Sequence, residues 1–353
     1  KAGYFDRVRG RVIYILPARG FVATRLPSRI GRKRVFISSA RHFKHMQEQS
    51  WSLQLGGREL VVSTGLLAGQ ANGAVTVRYG DTVILATAVM SKGASRIMGY
   101  FPLMCDYEER YYAAGKIKGS RFIKREGRPS EDAVLSGRAV DRTIRPLFNS
   151  RMRNEVQVIV TTLSYDGEND PDTVAMIAAS AALSVSDIPW NGPIGAVRVG
   201  ILESDGAFVL NPSSEERAGS KLDLLVSGTG EKINMIEAGA QEITEEKMAE
   251  AFQFGFEAIQ KITAFLSGIQ KEVGKEKAAP ALLQGSPEFE AAIKAKLLEE
   301  GVDKVLYVLP KKLMETEMGA LAKKVTDWAK ETYPEEATDD LLSLIIDEVC
   351  DEI

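Results

Sequence analysis

Apolar and polar positions alternate loosely from Leu53 to Val62. The alternation sharpens in Ala74–Tyr79 and in Thr82–Val89, two β-branched runs on either side of Gly80-Asp81. Period-two patterning around such a turn dipeptide predicts a β-hairpin. Ser130, followed by Glu131 and Asp132, predicts a helix N-terminus, and Pro146 its end. Val156–Leu163 predicts a strand, and Asp172–Val185 a helix of small residues with Pro189 beyond it. Further strands are predicted at Ile194–Leu202, Leu222–Ser227 and Ile233–Glu237. Thr244 then caps a long helix whose apolar stripe (Met248, Phe252, Ile259, Ile262, Leu266 and Ile269) has helical spacing and predicts core packing. A Lys/Glu/Ala-rich connector from Lys271 to Gly285 contains Pro280. Beyond it the pattern is helical throughout: Ser286-Pro287 opens a helix running through Leu298, and others follow at Met314–Tyr333 and Thr338–Cys350. These elements predict an α+β domain of about 220 residues followed by a small all-α domain, with no short-period repeat.

Charge adds a boundary. Residues 1–45 carry +11 and the other 308 carry −14, which together make the net charge of −3. The basic segment has no sustained period and is interrupted by Pro17 and Pro27. An organelle transit peptide, a nucleic-acid-binding arm and a non-native leader all fit it. Because the chain begins without methionine and patterning starts directly after Met46, Met46 is expected to be the native start and 1–45 a leader outside the fold. No run approaches the roughly 18 apolar residues of a membrane span. The two cysteines, Cys105 and Cys350, have neither disulfide-scaffold nor zinc spacing, so a reducing compartment is expected.

The chemistry-bearing residues cluster. Residues 116–128 hold six cations (Lys116, Lys118, Arg121, Lys124, Arg125, Arg128) against Glu126, with Phe122 among them and glycines at 115, 119 and 127. Cations that neutralise phosphates beside a ring that stacks on bases suit single-stranded nucleic acid; a solvated basic turn has the same composition. Arg138, Arg142 and Arg145 share one helix face, and either an anion-binding row or pairing of Arg145 with Asp141 is consistent with that spacing. There is no nucleophile elbow, P-loop or GxGxxG. Asp170, Asp172 and Asp223 are candidate carboxylates without metal-site spacing.

Three long words resemble the first core domain of the bacterial polynucleotide phosphorylase family: Phe101-Pro-Leu-Met-Cys-Asp-Tyr-Glu-Glu-Arg-Tyr-Tyr-Ala-Ala-Gly-Lys-Ile, Lys124-Arg-Glu-Gly-Arg-Pro-Ser and Asp141-Arg-Thr-Ile-Arg-Pro-Leu-Phe. Leu55-Gly-Gly-Arg-Glu-Leu, Tyr79-Gly-Asp-Thr-Val, Asp166-Gly-Glu-Asn-Asp-Pro-Asp and Ser186-Asp-Ile-Pro-Trp-Asn-Gly-Pro-Ile-Gly fit the same domain, and the resemblance runs from about Met46 to Ile353. It implies a ribonuclease PH-like (ribosomal protein S5 domain 2-like) core domain over 46–272 and an all-helical domain over 273–353. The family adds a second core domain and KH and S1 domains, which are expected to fall outside this chain.

The resemblance also implies 3′-to-5′ phosphorolysis of RNA to nucleoside diphosphates, reversibly, by a cytoplasmic homotrimer using Mg2+ and inorganic phosphate. Single-stranded RNA and RNA-degradosome components are the implied partners. The family's RNA-channel loop, commonly Phe-Phe-Arg-Arg, matches Phe122-Ile-Lys-Arg125 here. Ile123 and Lys124 weaken its stacking and bidentate contact, and Arg121 is a one-residue insertion. RNA contact is thus expected at Phe122, Lys124, Arg125 and Arg128, with Arg138, Arg142 and Arg145 behind them.

Catalysis is not expected. The family's catalytic copy brings an Asp, a second Asp six residues later and a Lys two beyond that to the reaction and its magnesium. Those positions fall on Arg217, Asp223 and Leu225, so only the middle one is kept. Its phosphate-binding serines fall in the acidic stretch Asp166–Asp172. No Mg2+ or phosphate is therefore expected on this chain, which reads as the RNA-guiding, assembly-forming half of such an enzyme. A free-standing RNA-binding scaffold is the alternative. A stand-alone ribonuclease PH would not need the helical domain.

Overall fold

In the computed structural model, residues 7–8, 11–12, 48–94, 100–117, 119, 127–202, 206–308 and 310–353 are described. The chain divides into two compact units, Lys1–His45 and Met46–Ile353. In the first, β1 (Arg7–Val8) pairs antiparallel with β2 (Arg11–Val12).

The second unit begins with two hairpins. The stretch from Leu53 to Val62 reads as one alternating run, but it is two strands, β3 (Gln49–Leu55) and β4 (Arg58–Thr64). Gly56 and Gly57 turn the chain between them, both left-handed at φ 55° and 78°. Two successive positive-φ residues suit a tight hairpin and favour glycine. β5 (Gly73–Tyr79) and β6 (Thr82–Ala94) form the second hairpin, around Gly80-Asp81. With β7 (Leu103–Glu108) and β8 (Asn154–Ser164) they make a six-stranded sheet of order β3-β4-β5-β6-β8-β7. Only β7 and β8 run parallel. A second sheet has the order β10 (Phe208–Leu210), β9 (Gly195–Ile201), β11 (Leu222–Gly228), β12 (Ile233–Ala240), antiparallel throughout.

Helix α1 (Glu131–Ile144) starts where Ser130 accepts the Ala133 N–H at 3.0 Å and gives way to a short 3-10 turn at Arg145–Leu147. Helix α2 (Pro171–Val185) meets β5 and β6 on one side and β9 on the other. Ala175, Ala178, Ala179, Ala181 and Ala182 are all buried, and these small residues allow a close approach of helix to strand. At Gly73 that approach leaves no room for a side chain: a Cβ there would lie 2.1 Å from the Ala182 carbonyl oxygen. A five-residue helix, α3 (Ser214–Ala218), is closed at its start by a reciprocal Ser213–Glu216 capping box. Helix α4 (Glu245–Val273), capped by Thr244, lays Ile259, Ile262, Leu266 and Ile269 against the body.

Helices α5 (Pro287–Glu299), α6 (Val302–Val305), α7 (Lys311–Thr332) and α8 (Asp339–Glu352) enclose a separate core around Phe289, Ile293, Val325, Leu342 and Ile345. Among the described residues, the two cores are joined around Arg151–Arg153 and Ala281–Leu283. The Arg153 N–H donates to the Ala281 carbonyl at 2.9 Å and the Leu283 N–H to that of Arg151 at 2.8 Å. The Arg151 guanidinium, 19% exposed, grips Glu290 of α5 and Glu348 of α8 with distances of 2.5–3.0 Å and 2.6–3.2 Å. Those two carboxylates raise its pKa above the ordinary arginine value.

Candidate nucleic-acid interface

Phe122, Lys124 and Arg125 lie outside the described residues, as does Arg121. The loop's two ends are described. Lys116 and Arg128, both exposed, line a cleft of about 680 Å³ whose walls come from the end of β7, the turn at Tyr111–Ala114 and the start of α1. Tyr107 at the end of β7 is buried, and its hydroxyl accepts from Thr162 at 3.2 Å. Burial raises its pKa.

The three arginines of α1 and its end have different surroundings. Arg145 forms a two-pronged pair with Asp141, at 2.8 and 2.7 Å, and also donates to the Leu103 carbonyl at 3.0 Å. The Asp141 bond raises its pKa. Of the two readings of that spacing, pairing holds at Arg145, which fastens α1 to the approach to β7. Arg142 is exposed with Glu237 of β12 at 4.0 Å. Arg138, also exposed, lines a second cleft of about 840 Å³ with Tyr100, Met104 and Asp141.

Arg217, Asp223 and Leu225 converge near the start of α2, on a cluster of five charged side chains. Asp223 and Leu225 stand two apart on β11, and Leu225 is the cross-strand partner of Arg198 on β9. Arg198 Nη1 lies 2.5 Å from Asp223 Oδ1, Nε 2.7 Å from Asp170 Oδ2, and Nη2 3.9 Å from Asp172 Oδ2. Arg217, on α3, reaches the same carboxylates: Nη1 is 2.7 Å from Asp170 Oδ2 and Nε 3.0 Å from Asp223 Oδ2. Two guanidiniums thus hold three carboxylates. Asp170 also caps α2, accepting the Asp172 N–H at 3.0 Å. Burial first, and the Asp170 charge second, push Asp172 up to about 6. Leu225 is buried and offers the cluster only a hydrocarbon wall.

The acidic stretch before α2 is equally self-contained. Asp166 accepts the N–H groups of Asp81, Glu168 and Asn169 at 2.8–3.0 Å, and the Thr82 hydroxyl at 3.1 Å. Burial alone would raise its pKa, but these donors, together with the Asn169 amide, hold it at about 2. Asp166 thereby ties the loop after β8 to the tip of the β5–β6 hairpin. Gly80 at that tip is required by its φ of 61° and by Asn169, whose amide nitrogen would lie 2.3 Å from a Cβ.

Arg198 was missed at the level of sequence. Its signal is a single cation inside an apolar strand, Gly195-Ala-Val-Arg-Val-Gly-Ile, where burial demands an opposite charge. As for magnesium, the donors do not fit: Asp223, the only carboxylate kept from the catalytic pattern, faces two guanidiniums. No three His, Cys, Asp or Glu side chains among the described residues are grouped to hold a metal.

The model of the 3′ exoribonuclease family, domain 1, matches residues 56–189, and that of domain 2 matches 192–258. Together they take in more than half of the chain and divide the α+β body between them. Polyribonucleotide nucleotidyltransferase of Geobacillus kaustophilus is 45% identical over 309 residues, 86% of this chain and 42% of that protein. The protein of the same name from Heliobacterium modesticaldum is 46% identical over 294 residues, 82% of this chain and 40% of its own length. That from Streptococcus mutans is 45% identical over 308 residues, 87% and 42%. The chain therefore spans about two fifths of the length of the curated relatives it matches. A crystal structure of rice Rrp46 aligns with a TM-score of 0.48 at 16% identity, covering 64% of this chain and 94% of that one. No helix among the described residues is long and apolar enough to cross a membrane.

Proposed function

This chain belongs to the 3′ exoribonuclease family, and we propose that its part there is to bind and guide single-stranded RNA, not to cleave it. The relatives named for nucleotidyl transfer are more than twice as long. In our reading this chain corresponds to their N-terminal half, the half that feeds RNA toward a reaction performed elsewhere in a trimeric phosphorolytic enzyme using magnesium and phosphate.

The observation that carries this reading is the ionic cluster at the start of α2. A phosphorolytic site needs an anion pocket for phosphate and carboxylates able to hold a metal. Here the place is filled from within: the Asp170 carboxylate lies against Arg198 and Arg217, where a phosphate would otherwise be attracted. Asp223 is held by the same two arginines, and Leu225 can neither donate nor accept a proton. Outside the cluster, Lys116 and Arg128 lie exposed at the two ends of the basic loop. Cations there cost little to desolvate and are available to phosphates.

The test incubates the purified chain with radiolabelled poly(A), magnesium and phosphate. The expected outcome is retention of the RNA without release of ADP. Phosphate-dependent ADP above a mock-purified control would contradict the proposal.

A further inference from the structure

The cleft between Lys116 and Arg128 has a feature that binding to an RNA backbone does not require. Tyr111 and Tyr165 both line it, and they are 47% and 38% exposed. Their main chains are fixed. The turn Tyr111–Ala114 ends on Gly115 in the left-handed conformation, φ 66°, and is closed by the Lys116 N–H donating to the Tyr111 carbonyl at 2.9 Å. The Tyr165 N–H donates to the Ala113 carbonyl at 2.9 Å, which joins the turn to the end of β8. The two rings are thus carried by one hydrogen-bonded frame, which lowers the ordering cost of a ligand that stacks on them.

The charge lining the cleft suits an anion. Its two carboxylates are engaged: Glu108 with Arg110 and with the Thr161 hydroxyl at 3.1 Å, Glu109 with the Ser130 hydroxyl at 2.8 Å. Lys116 and Arg128 stand exposed on the same lining. The volume, about 680 Å³, lies in the range of small-ligand sites. Rings carried on a fixed frame and exposed cations on the same lining match the two halves of a nucleotide.

We propose that this cleft is a base-binding subsite for one nucleotide of a single strand, its base on Tyr111 and Tyr165 and its phosphate on Lys116 and Arg128. The proposal rests on the reading of the chain as an RNA-binding one, and it adds recognition of the base to contact with the backbone.

The experiment compares the chain's affinity for an eight-nucleotide oligoadenylate with that for an abasic ribose-phosphate strand of equal length and charge, by fluorescence anisotropy. Stacking should make the oligoadenylate bind about tenfold more tightly. In Tyr111→Ala/Tyr165→Ala that difference should shrink severalfold while affinity for the abasic strand stays the same. Tyr111→Phe/Tyr165→Trp should retain it, which separates stacking from a role in the fold. Loss of affinity for both strands in Lys124→Ala/Arg125→Ala reports on the backbone-binding reading alone. Equal affinity of the unaltered chain for the two strands would overturn the subsite, as would a preference undiminished in the double alanine variant. Failure of the unaltered chain to bind either strand would overturn both readings.

Discussion

The α+β body uses cations in two opposite ways within one neighbourhood. At the start of α2, Arg198 is 9% exposed and surrounded by the carboxylates of Asp170, Asp172 and Asp223. At the cleft lined by Lys116 and Arg128 both cations are exposed, and the nearby carboxylates of Glu108 and Glu109 have partners of their own. In the first region each guanidinium is set against carboxylates of the same chain, which compete with any incoming anion. In the second, the side chains keep their hydration and can exchange it for phosphate. The lesson is that a dense set of charged residues signals binding only where the fold leaves the charge unmatched.

The sharpest way to break this comparison is to remove the centre of the first region. Arg198→Ala should leave three partly buried carboxylates crowded around Arg217 alone. The expected cost is about 3–5 kcal/mol, the range for taking one partner from a buried ionic group, read as a lower midpoint in urea denaturation. A loss below about 1 kcal/mol would mean that water already solvates the cluster.

The pH dependence of stability should show the same enclosure, at smaller amplitude. Asp172 is held near 6 in the native chain against an ordinary carboxylate value of about 3.9 when unfolded. The native state therefore retains a proton that the unfolded chain releases. Its contribution is fully present below about pH 4 and lost as pH rises through about 6, by at most about 3 kcal/mol. Asp166 behaves in the opposite sense. Held at about 2, its contribution is present above about 4 and lost as pH falls through 2, outside that window. Asp172→Asn should abolish the difference between pH 4 and pH 7 that belongs to this side chain, measured as the urea midpoint of variant against parent at both pH values. Parallel pH curves would show that Asp172 is solvated.

Legibility from sequence followed the range of the interactions involved. Ser130, Thr244 and Ser286 announce helices because a cap needs only the next three residues, and all three accept the N–H they should. The α4 stripe is legible for the same reason, one helix face being written at fixed spacing. Strand β7 was not. It is a parallel edge strand whose partner, β8, lies some fifty residues away, and Asp106 and Glu108 break its apolar pattern. Helices α3 and α6 span five and four residues, too few for a period to appear. In the candidate site, Arg217, Asp223 and Leu225 were drawn together by resemblance alone. What neutralises them was hidden, because Arg198 and Asp170 reach the cluster from other elements, β9 and the start of α2. The basic loop was visible as composition, and its central residues lie outside the described ones.

The salt dependence of RNA binding tests most directly whether cations without carboxylate partners bind and ion-paired ones such as Arg217 do not. The logarithm of the oligoadenylate affinity is plotted against the logarithm of salt concentration for the parent, Lys116→Ala/Arg128→Ala and Arg217→Ala. For a single strand, each lost phosphate contact lowers the slope by about 0.7. The account predicts a slope lowered by about 1.4 in the cleft variant and unchanged in Arg217→Ala. An unchanged slope in the cleft variant, with a reduced one in Arg217→Ala, would contradict it.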